Sequence, residues 1–432
     1  MKKCVIIGVG GRHKMFRDAL VEKYSTKYQL VALCDSNIGR LRFAEESLKT
    51  SNVSVRLYLE KDFSKLLRTE NPDIVIVTSP DYTHHKYIIA AARKGCQIIS
   101  EKPVTNNLEN LKRIVDELGK KNLKATITHN YRYSPHRSQV KKLLMNGTIG
   151  TIKAITFDWH LDRIHGADYF RRWHRYKKNS GGLAVHKATH HFDLINWWLS
   201  DVPVSAYATG SNHYYNPSNA DNLKIENRGK RCTSCSSSNC TFRLDLSSIE
   251  NLRKLYSENE EFDGYYRDQC VFDQDIEIED MIRAEVRYSR GAVLNYGLVA
   301  FSPWEGYEIT FIGTEGTLSQ KYLERSVING DESSLREGSN VETTLLLPGK
   351  APEKIKNPSS AGGHGGADPL MLDHIFADNG TPDPLKRKSN HFSAAWSAIT
   401  GFAINRSMEK GKVILIKDLI KDLAVPDELR LD

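Results

Sequence analysis

The sequence lacks a long hydrophobic run, a cleavable leader and a concentrated basic segment. No stretch of its 432 residues reaches the roughly 18 apolar residues that a membrane helix needs. The N-terminal apolar run is short and glycines follow it at once, which argues against a secretion signal. Lysines and arginines give a formal net charge of +8 but are scattered, so no nucleic-acid surface is expected. We therefore expect a cytoplasmic protein with neither a membrane nor a nucleic-acid partner.

Cysteine is also scarce, with seven residues in the chain. Cys4, Cys34 and Cys96 lie in or beside apolar runs, and we expect them to be buried as small hydrophobic side chains. The overall composition is that of a globular protein, with 40% hydrophobic and 26% charged residues. A chain of this length exceeds one typical hydrophobic core, so two domains are expected. We place them at residues 1–125 and 126–432, with an insertion at about 211–270.

The first 125 residues alternate between short apolar runs and segments with helical spacing. The pattern predicts strands over 3–8, 30–34, 73–78, 97–100 and 125–129, and helices over 16–24, 38–49, 84–94 and 108–120. Alternation of this kind indicates an α/β fold with a doubly wound parallel sheet. The first domain is therefore predicted to be a Rossmann domain.

The turn after the first predicted strand has the sequence Gly8-Val9-Gly10-Gly11-Arg12-His13. Glycines at such a turn let backbone N–H groups approach a pyrophosphate at a helix N-terminus. His13 stands at the third glycine position and departs from the usual pattern. Asp35 ends the second strand, where a carboxylate accepts hydrogen bonds from the ribose hydroxyls of a dinucleotide. Because Asp35 would repel a 2′-phosphate, NAD is favoured, although Arg40 leaves NADP open.

Two later strand ends carry polar motifs, Thr78-Ser79-Pro80-Asp81 followed by His84, and Glu101-Lys102-Pro103. With the glycine turn, these motifs resemble the Gfo/Idh/MocA family of sugar and cyclitol oxidoreductases, over essentially the whole chain. The resemblance implies that Lys102 assists proton transfer from the hydroxyl being oxidised and that Pro103 follows a cis peptide. The predicted cofactor-binding residues are Gly8, Gly10, Gly11, Arg12, His13, Asp35, Ser79, Pro80, His84, Glu101 and Lys102.

A histidine-rich segment follows Gly181-Gly182, in a predicted helix over 183–199. His186, His190 and Asp193 are spaced by four and three residues, so a continuous helix would place them on one face. The resemblance implies that His190 is catalytic and Asp193 an accompanying acid. His186 occupies the position where the family usually has a first acid. Three interpretations stay open, namely a proton relay with Lys102, a metal site and structural histidines.

The predicted substrate contacts lie at the start of the second domain and around the histidine-rich segment. They are Tyr131, Arg132, Trp173, His174, His186, Lys187 and Asp193. An alternating run at 153–161 predicts a strand before the insertion. Beyond the insertion, alternating runs at 276–280, 284–288, 292–301 and 307–312 predict strands, and helices are predicted over 369–379 and 390–410. The second domain is therefore expected to be α+β with a large open, mostly antiparallel sheet.

The insertion contains Cys232, Cys235 and Cys240 at a Cys-x2-Cys-x4-Cys spacing, and Cys270 follows. Four thiolates of this kind suit a tetrahedral metal site. In a reducing compartment such a cluster favours metal over a disulfide. We expect a structural zinc, with an iron–sulfur cluster or free thiols as alternatives.

Together these features predict an NAD(P)-dependent oxidoreductase that transfers a hydride from a CH–OH group of a sugar, sugar derivative or cyclitol. One alternative is redox-neutral glycoside cleavage through a keto-sugar, with NAD retained. An alternative of another class is a non-catalytic NAD-binding sensor or corepressor, against which Lys102 and His190 argue. The resemblance also implies a homo-oligomer, either a dimer or a tetramer.

Overall fold

The N-terminal part of the chain forms a six-stranded parallel sheet. The computed structural model describes residues 1–49, 51–324, 340–358, 363–377, 380 and 382–431. The strands are β1 (Lys2–Ile7), β2 (Tyr28–Asp35), β3 (Arg56–Leu59), β4 (Ile74–Val77), β5 (Gln97–Ser100) and β6 (Ala125–Ile127). Their order is β3-β2-β1-β4-β5-β6, and each neighbouring pair is parallel. The strand order reverses between β1 and β4, which is where ligands bind in such sheets.

Helices cover both faces of this sheet. They are α1 (His13–Val21), α2 (Ile38–Lys49), α3 (Phe63–Glu70), α4 (His84–Arg93) and α5 (Leu108–Lys120). Alternate residues of β1 pack into different clusters, with Cys4 and Ile6 in one and Val5 and Ile7 in the other. A strand buried on both faces explains the continuous apolar runs of the sequence. The predicted Rossmann domain is confirmed, although β3 and α3 carried too weak a pattern to be predicted.

The second domain is built on a nine-stranded open sheet. Its strands are β7 (Ile152–Asp162), β8 (Pro203–Ser211), β9 (Met281–Tyr288), β10 (Val293–Ser302), β11 (Gly306–Gly313), β12 (Thr317–Leu323), β13 (Asn340–Leu346), β14 (Glu353–Ile355) and β15 (Ile414–Leu415). The order is β14-β13-β12-β11-β7-β10-β9-β8-β15, and only the β7–β10 pair is parallel. The expected mostly antiparallel sheet is confirmed.

Helices pack against one face of this sheet and against the first domain. They are α6 (Pro135–Met145), α7 (Arg163–Arg171), α8 (Lys177–Ser180), α9 (Leu183–His186), α10 (Thr189–Leu199), α11 (Pro217–Asn222), α12 (Glu250–Leu255), α13 (Gly363–Phe376) and α14 (His391–Lys410). Among the residues described, no helix is both long and apolar enough to cross a membrane.

The predicted helix over 183–199 is interrupted, so that expectation was wrong. The Ala188 N–H donates to the Leu183 carbonyl, five residues back, at 2.9 Å, whereas the His190 N–H donates to the Lys187 carbonyl, three residues back, at 3.2 Å. One turn is therefore widened and the next tightened, which separates α9 from α10. His186 and His190 consequently contact different partners.

The predicted strand over 276–280 is also absent. The Asp280 carboxylate accepts hydrogen bonds from the backbone N–H groups of His213, Tyr214 and Tyr215, at 2.9, 2.6 and 3.0 Å. Since these contacts hold the chain against the loop after β8, the alternating residues 276–280 form an irregular segment. The region 212–280 thus joins β8 to β9 without a strand of its own.

Candidate active site

The turn after β1 touches the loop after β4, and this contact requires glycine. Gly8 has φ of +90°, and a Cβ there would lie 2.5 Å from the Cα of Ser79. At Gly10 and Gly11, by contrast, a Cβ would meet only the Tyr256 hydroxyl, at 3.6 and 3.9 Å. Gly10 and Gly11 therefore keep this part of the turn free of side chains of its own, and the Tyr256 hydroxyl lies over it. Rossmann domains bind the pyrophosphate of a dinucleotide at a turn of this kind, and such binding here stays a prediction.

His13 stands at the position of the usual third glycine, and its side chain is accommodated inside the turn. Its ring is buried at the first position of α1. The Nδ1–H group donates to the Gly10 carbonyl at 2.5 Å. Burial lowers the pKa of His13 to about 4, so the ring is neutral at physiological pH. His13 therefore stabilises the turn from within.

Arg12 lies beside the turn and joins three segments of the chain. Its Nε–H donates to the Glu101 carboxylate at 2.8 Å, and Nη1 donates to Asp368 at 3.2 Å. The Asp368 carboxylate also accepts from the Asn130 amide at 2.7 Å. The structure thus brings two of the predicted cofactor-binding residues, Arg12 and Glu101, into one ion pair.

Asp35 is held at the carboxyl end of β2 by the backbone. One oxygen accepts from the Val9 N–H at 2.7 Å, and the other accepts from the Asn37 N–H at 2.9 Å. The second oxygen also accepts from Nη2 of Arg40 at 2.9 Å. These donors fix the carboxylate next to the glycine turn, where it fits the ribose hydroxyls of a dinucleotide.

His84 connects the loops that follow β4 and β5. Its two ring nitrogens lie 2.8 Å from the carbonyl oxygens of Pro103 and Ser79. The peptide between Lys102 and Pro103 is cis, as the resemblance implied. The structure therefore places His84 as a positioning residue behind Ser79, Pro80 and Lys102.

Lys102 lies at the carboxyl end of β5, with its ammonium group turned toward the second domain. Nζ donates to the His186 carbonyl at 3.0 Å. Burial lowers the pKa of Lys102 to about 8, while the nearby Asp81 carboxylate opposes that shift. Burial raises the pKa of Asp81 itself to about 7. Lys102 can therefore exchange a proton near neutral pH.

The three predicted residues His186, His174 and Trp173 form one cluster above Lys102. His186 donates from Nδ1 to the Asp81 carboxylate at 2.5 Å. Its ring meets that of His174 edge-on, with centroids 4.2 Å apart, and His174 stacks on Trp173 at 3.7 Å. Burial lowers the pKa of both histidines well below the usual value. Asp81 therefore supplies His186 with the carboxylate that the segment itself lacks.

His190 occupies the other side of Lys102. Its ring stacks on Tyr131 with centroids 4.2 Å apart, and burial lowers its pKa well below the usual value. Lys187 donates from Nζ to the Tyr131 hydroxyl at 3.2 Å. Buried neutral imidazole and a nearby ammonium group provide both hydrogen-bond acceptors and donors for a polyhydroxylated ligand.

Arg132 and Asp193 are engaged with each other rather than exposed to the cleft. The guanidinium donates from Nε and Nη2 to the two carboxylate oxygens, at 2.7 and 2.6 Å. His129 lies 2.9 Å from the same carboxylate, and the Arg132 and Asp193 side chains are 0% and 1% exposed. Arg132 and Asp193 thus form a buried pair, and His129 lies between this pair and the His190 ring, with the two imidazole centroids 6.0 Å apart.

Four further polar residues adjoin the candidate site but were not predicted as site residues. Asp81 was noted only within a motif. His165 lies 2.7 Å from the Glu305 carboxylate and 2.9 Å from the Tyr169 hydroxyl, and Tyr169 packs edge-on against His186. His165 and Tyr169 lie in α7 and Glu305 lies in the loop before β11, so local sequence patterns carried no signal for these three.

The insertion brings its four cysteines together but does not support the predicted zinc. Cys232, Cys235, Cys240 and Cys270 line one cavity with Phe242 and Phe272, and all four are free thiols. In the described part of the chain, however, no group of three or more His, Cys, Asp or Glu side chains is arranged to hold a metal ion. The same finding gives no support to a metal at His186 and His190.

A second part of the insertion reaches the glycine turn. The Gly11 N–H donates to the Tyr256 hydroxyl at 3.3 Å. Nearby, the Asn37 side chain donates to the Asn259 carbonyl at 2.8 Å. Asp263 accepts from Nη2 of Arg40 at 2.5 Å. No sequence pattern indicated that the insertion would contact the first domain.

Comparisons with known proteins agree with this architecture. Residues 2–129 match the NAD-binding Rossmann fold of the Gfo/Idh/MocA oxidoreductase family, and residues 141–413 match its C-terminal α/β domain. The chain is 34% identical over 440 residues to the Bacillus subtilis (strain 168) protein YteT, which is named as an oxidoreductase. That alignment covers 98% of this chain and 99% of YteT.

Other similar proteins have names that specify substrates or ligands. The myo-inositol 2-dehydrogenase of Thermotoga maritima is 28% identical over 182 residues, covering 42% of this chain and 51% of that protein. A levoglucosan dehydrogenase solved with NADH superposes with a TM-score of 0.65 at 16% identity, covering 96% of this chain and 99% of that chain. WlbA of Bordetella pertussis, in complex with NADH and UDP-GlcNAcA, gives a TM-score of 0.63 at 19% identity, covering 95% and 98%. The structural likenesses show a shared fold, and the two matching domains establish that the chain belongs to the Gfo/Idh/MocA oxidoreductase family.

Proposed function

We propose that this protein is an NAD(P)-dependent dehydrogenase that oxidises a CH–OH group of a sugar, sugar derivative or cyclitol. The observation that carries the proposal is Lys102, a lysine with a lowered pKa at the carboxyl end of a parallel strand beside the glycine turn. This is the edge of the sheet where Rossmann domains bind cofactor and substrate. The names of the inositol and levoglucosan dehydrogenases support a polyhydroxylated substrate.

Lys102 is proposed as the group that accepts the hydroxyl proton. A pKa of about 8 leaves roughly a tenth of the amine uncharged at pH 7, whereas an ordinary lysine would be almost fully protonated. When bound, the nicotinamide supplies the acceptor for the hydride that leaves the carbon bearing this hydroxyl. Removal of the proton and the hydride together converts the alcohol to a carbonyl.

The surrounding histidines are proposed to orient the substrate hydroxyl toward Lys102. His186 is fixed by Asp81, and His190 is fixed by stacking on Tyr131. Because burial keeps both rings neutral, each has a nitrogen that can accept a hydrogen bond from a neighbouring hydroxyl of the substrate, which leaves the proton of the reacting hydroxyl to Lys102. In this arrangement His190 relays or positions the proton, and Lys187 donates to a neighbouring hydroxyl.

The experiment that tests the proposal combines a substrate panel with two Lys102 variants. Wild-type protein is assayed for NADH formation on cyclitols, aldoses and anhydrosugars. On the active substrate, Lys102→Met is expected to lower kcat by roughly 10²- to 10⁴-fold, while the Kd for NADH changes little. Lys102→Arg keeps the charge but lacks a deprotonated form at these pH values. Comparable loss in both variants identifies proton acceptance, and an active Lys102→Met protein would disprove the assignment.

A second candidate is redox-neutral glycoside cleavage through a keto-sugar with NAD retained. It is favoured by Tyr256, which covers the glycine turn and would slow release of a dinucleotide held there. The two candidates differ in cofactor retention. Purified protein would be dialysed extensively and then unfolded, and the released nicotinamide quantified by absorbance and mass. Near-stoichiometric NAD favours the redox-neutral reaction, whereas little NAD with reversible binding favours the dehydrogenase.

A further inference from the structure

The insertion is built into the cofactor side of the first domain. Its residues Leu252, Leu255 and Tyr256 form a hydrophobic cluster against which Phe43 of α2 packs. At Gly39, also in α2, a Cβ would lie 1.6 Å from the Asn259 side-chain oxygen, so Asn259 packs directly on this glycine. The segment 250–263 therefore packs against α2, the helix that follows β2 and its last residue, Asp35.

Asp263 enters this interface next to Asp35. Nη2 of Arg40 donates to both carboxylates, at 2.5 Å to Asp263 and at 2.9 Å to Asp35. The Nε–H of Arg40 also donates to Asp35, at 3.2 Å. The three side chains are only 7–15% exposed, so solvent and salt screen their charges weakly. Two carboxylates and one guanidinium give this group a net charge of −1.

That charge bears directly on which dinucleotide the site accepts. In Rossmann domains an arginine near the ribose accommodates the 2′-phosphate of NADP, whereas an acid at the end of the second strand selects NAD. Arg40 is placed to act in the first way, but two carboxylates share its guanidinium. Without Asp263, the charge beside the ribose position would be zero. We infer that Asp263 of the insertion is a specificity-determining residue that makes the site select NAD(H) against NADP(H). This inference rests on the proposed use of a nicotinamide dinucleotide.

The test measures the Kd values of NADH and NADPH by fluorescence titration, with no substrate present. In Asp263→Asn, which keeps the size of the side chain, the ratio of the NADPH Kd to the NADH Kd is expected to fall about tenfold or more. Asp263→Glu keeps the charge and is expected to keep the wild-type ratio. Glu261→Gln removes the same charge from an exposed residue of the same segment, and we expect no change in the ratio.

A second measurement isolates the ribose end of the site from the nicotinamide. Calorimetric binding of 5′-AMP and of adenosine 2′,5′-bisphosphate should show the same change in preference in Asp263→Asn. An unchanged ratio in Asp263→Asn, or wild-type protein that prefers NADPH, would overturn the inference and leave the proposed dehydrogenase intact. Wild-type protein that binds neither dinucleotide would overturn the proposed function as well.

Discussion

Charged side chains are paired differently at the two ends of the candidate active site. The cofactor end is the region around the glycine turn, and the substrate end is the region around Lys102. At the cofactor end, charged side chains are paired with opposite charges, as Arg40 is with Asp35 and Arg12 with Glu101. At the substrate end, burial makes the imidazoles neutral and lowers the pKa of Lys102, whose ammonium donates to a backbone carbonyl. Paired charges give a site of constant charge, whereas weakly paired buried groups change protonation near neutral pH. We therefore expect cofactor binding to depend little on pH and turnover to depend on it strongly.

The largest effect is expected for the Arg132–Asp193 pair, which is a fully paired, buried group close to the weakly paired groups of the substrate end. Asp193→Ala would leave the Arg132 guanidinium buried without its carboxylate. We expect the free energy of unfolding to fall by about 3–5 kcal/mol, measured by urea denaturation. Asp116→Ala, which removes an exposed partner of Lys120, is the control and should have little effect.

A different result would assign Asp193 to the substrate. If Asp193→Ala unfolds at the wild-type urea concentration and instead raises KM, the residue contacts substrate, and the proposed structural role is wrong. If the role is structural, Asp193→Asn, which retains one acceptor oxygen, should be less destabilised than Asp193→Ala.

The glycine turn offers the next test, at the cofactor end. Gly8→Ala places a Cβ against the backbone of Ser79, whereas Gly95→Ala has a similar positive φ, +76° against +90°, but meets nothing within 4 Å. Both variants carry backbone strain, and the clash should cost Gly8→Ala about 1–3 kcal/mol more in thermal unfolding. The NADH Kd should rise at least tenfold in Gly8→Ala and stay unchanged in Gly95→Ala. Equal effects on both would show that the close approach is unimportant.

The sequence predicted the strands and helices around the glycine turn well because they are built locally. A strand, its terminal glycine and the next helix are contiguous, and α2 and α5 were predicted to the residue. The carboxyl ends of neighbouring parallel strands then meet without further information, which is why Gly8, Ser79 and Glu101 could be grouped in advance.

At the substrate end, the sequence predicted several of the residues that lie near Lys102 but not the contacts between them. A continuous helix over 183–199 would have placed His186 and Asp193 on one face. The widened turn at Ala188 breaks this alignment, so that His186 contacts Asp81 and Asp193 contacts Arg132. Asp81 comes from the other domain, 105 residues away in sequence. Pairings across such separations are set by how the domains dock, which helical spacing does not encode. The contact of the insertion with α2 escaped prediction for the same reason.

The smallest expected effect concerns the pH at which Lys102 loses its proton. The Asp81 carboxylate raises the pKa of Lys102, and the Lys187 ammonium lowers it. Because the free amine is the proposed base, kcat/KM should fall as pH drops through the Lys102 pKa of about 8. Asp81→Asn should move this acidic limb to lower pH and Lys187→Met should move it to higher pH, each by on the order of one unit. The two variants are controls for each other, since loss of substrate affinity alone changes the height of the profile and not its midpoint. Shifts in the same direction, or no shift in either, would mean that another group carries the limb and that Asp81 and Lys187 do not set the pKa of Lys102.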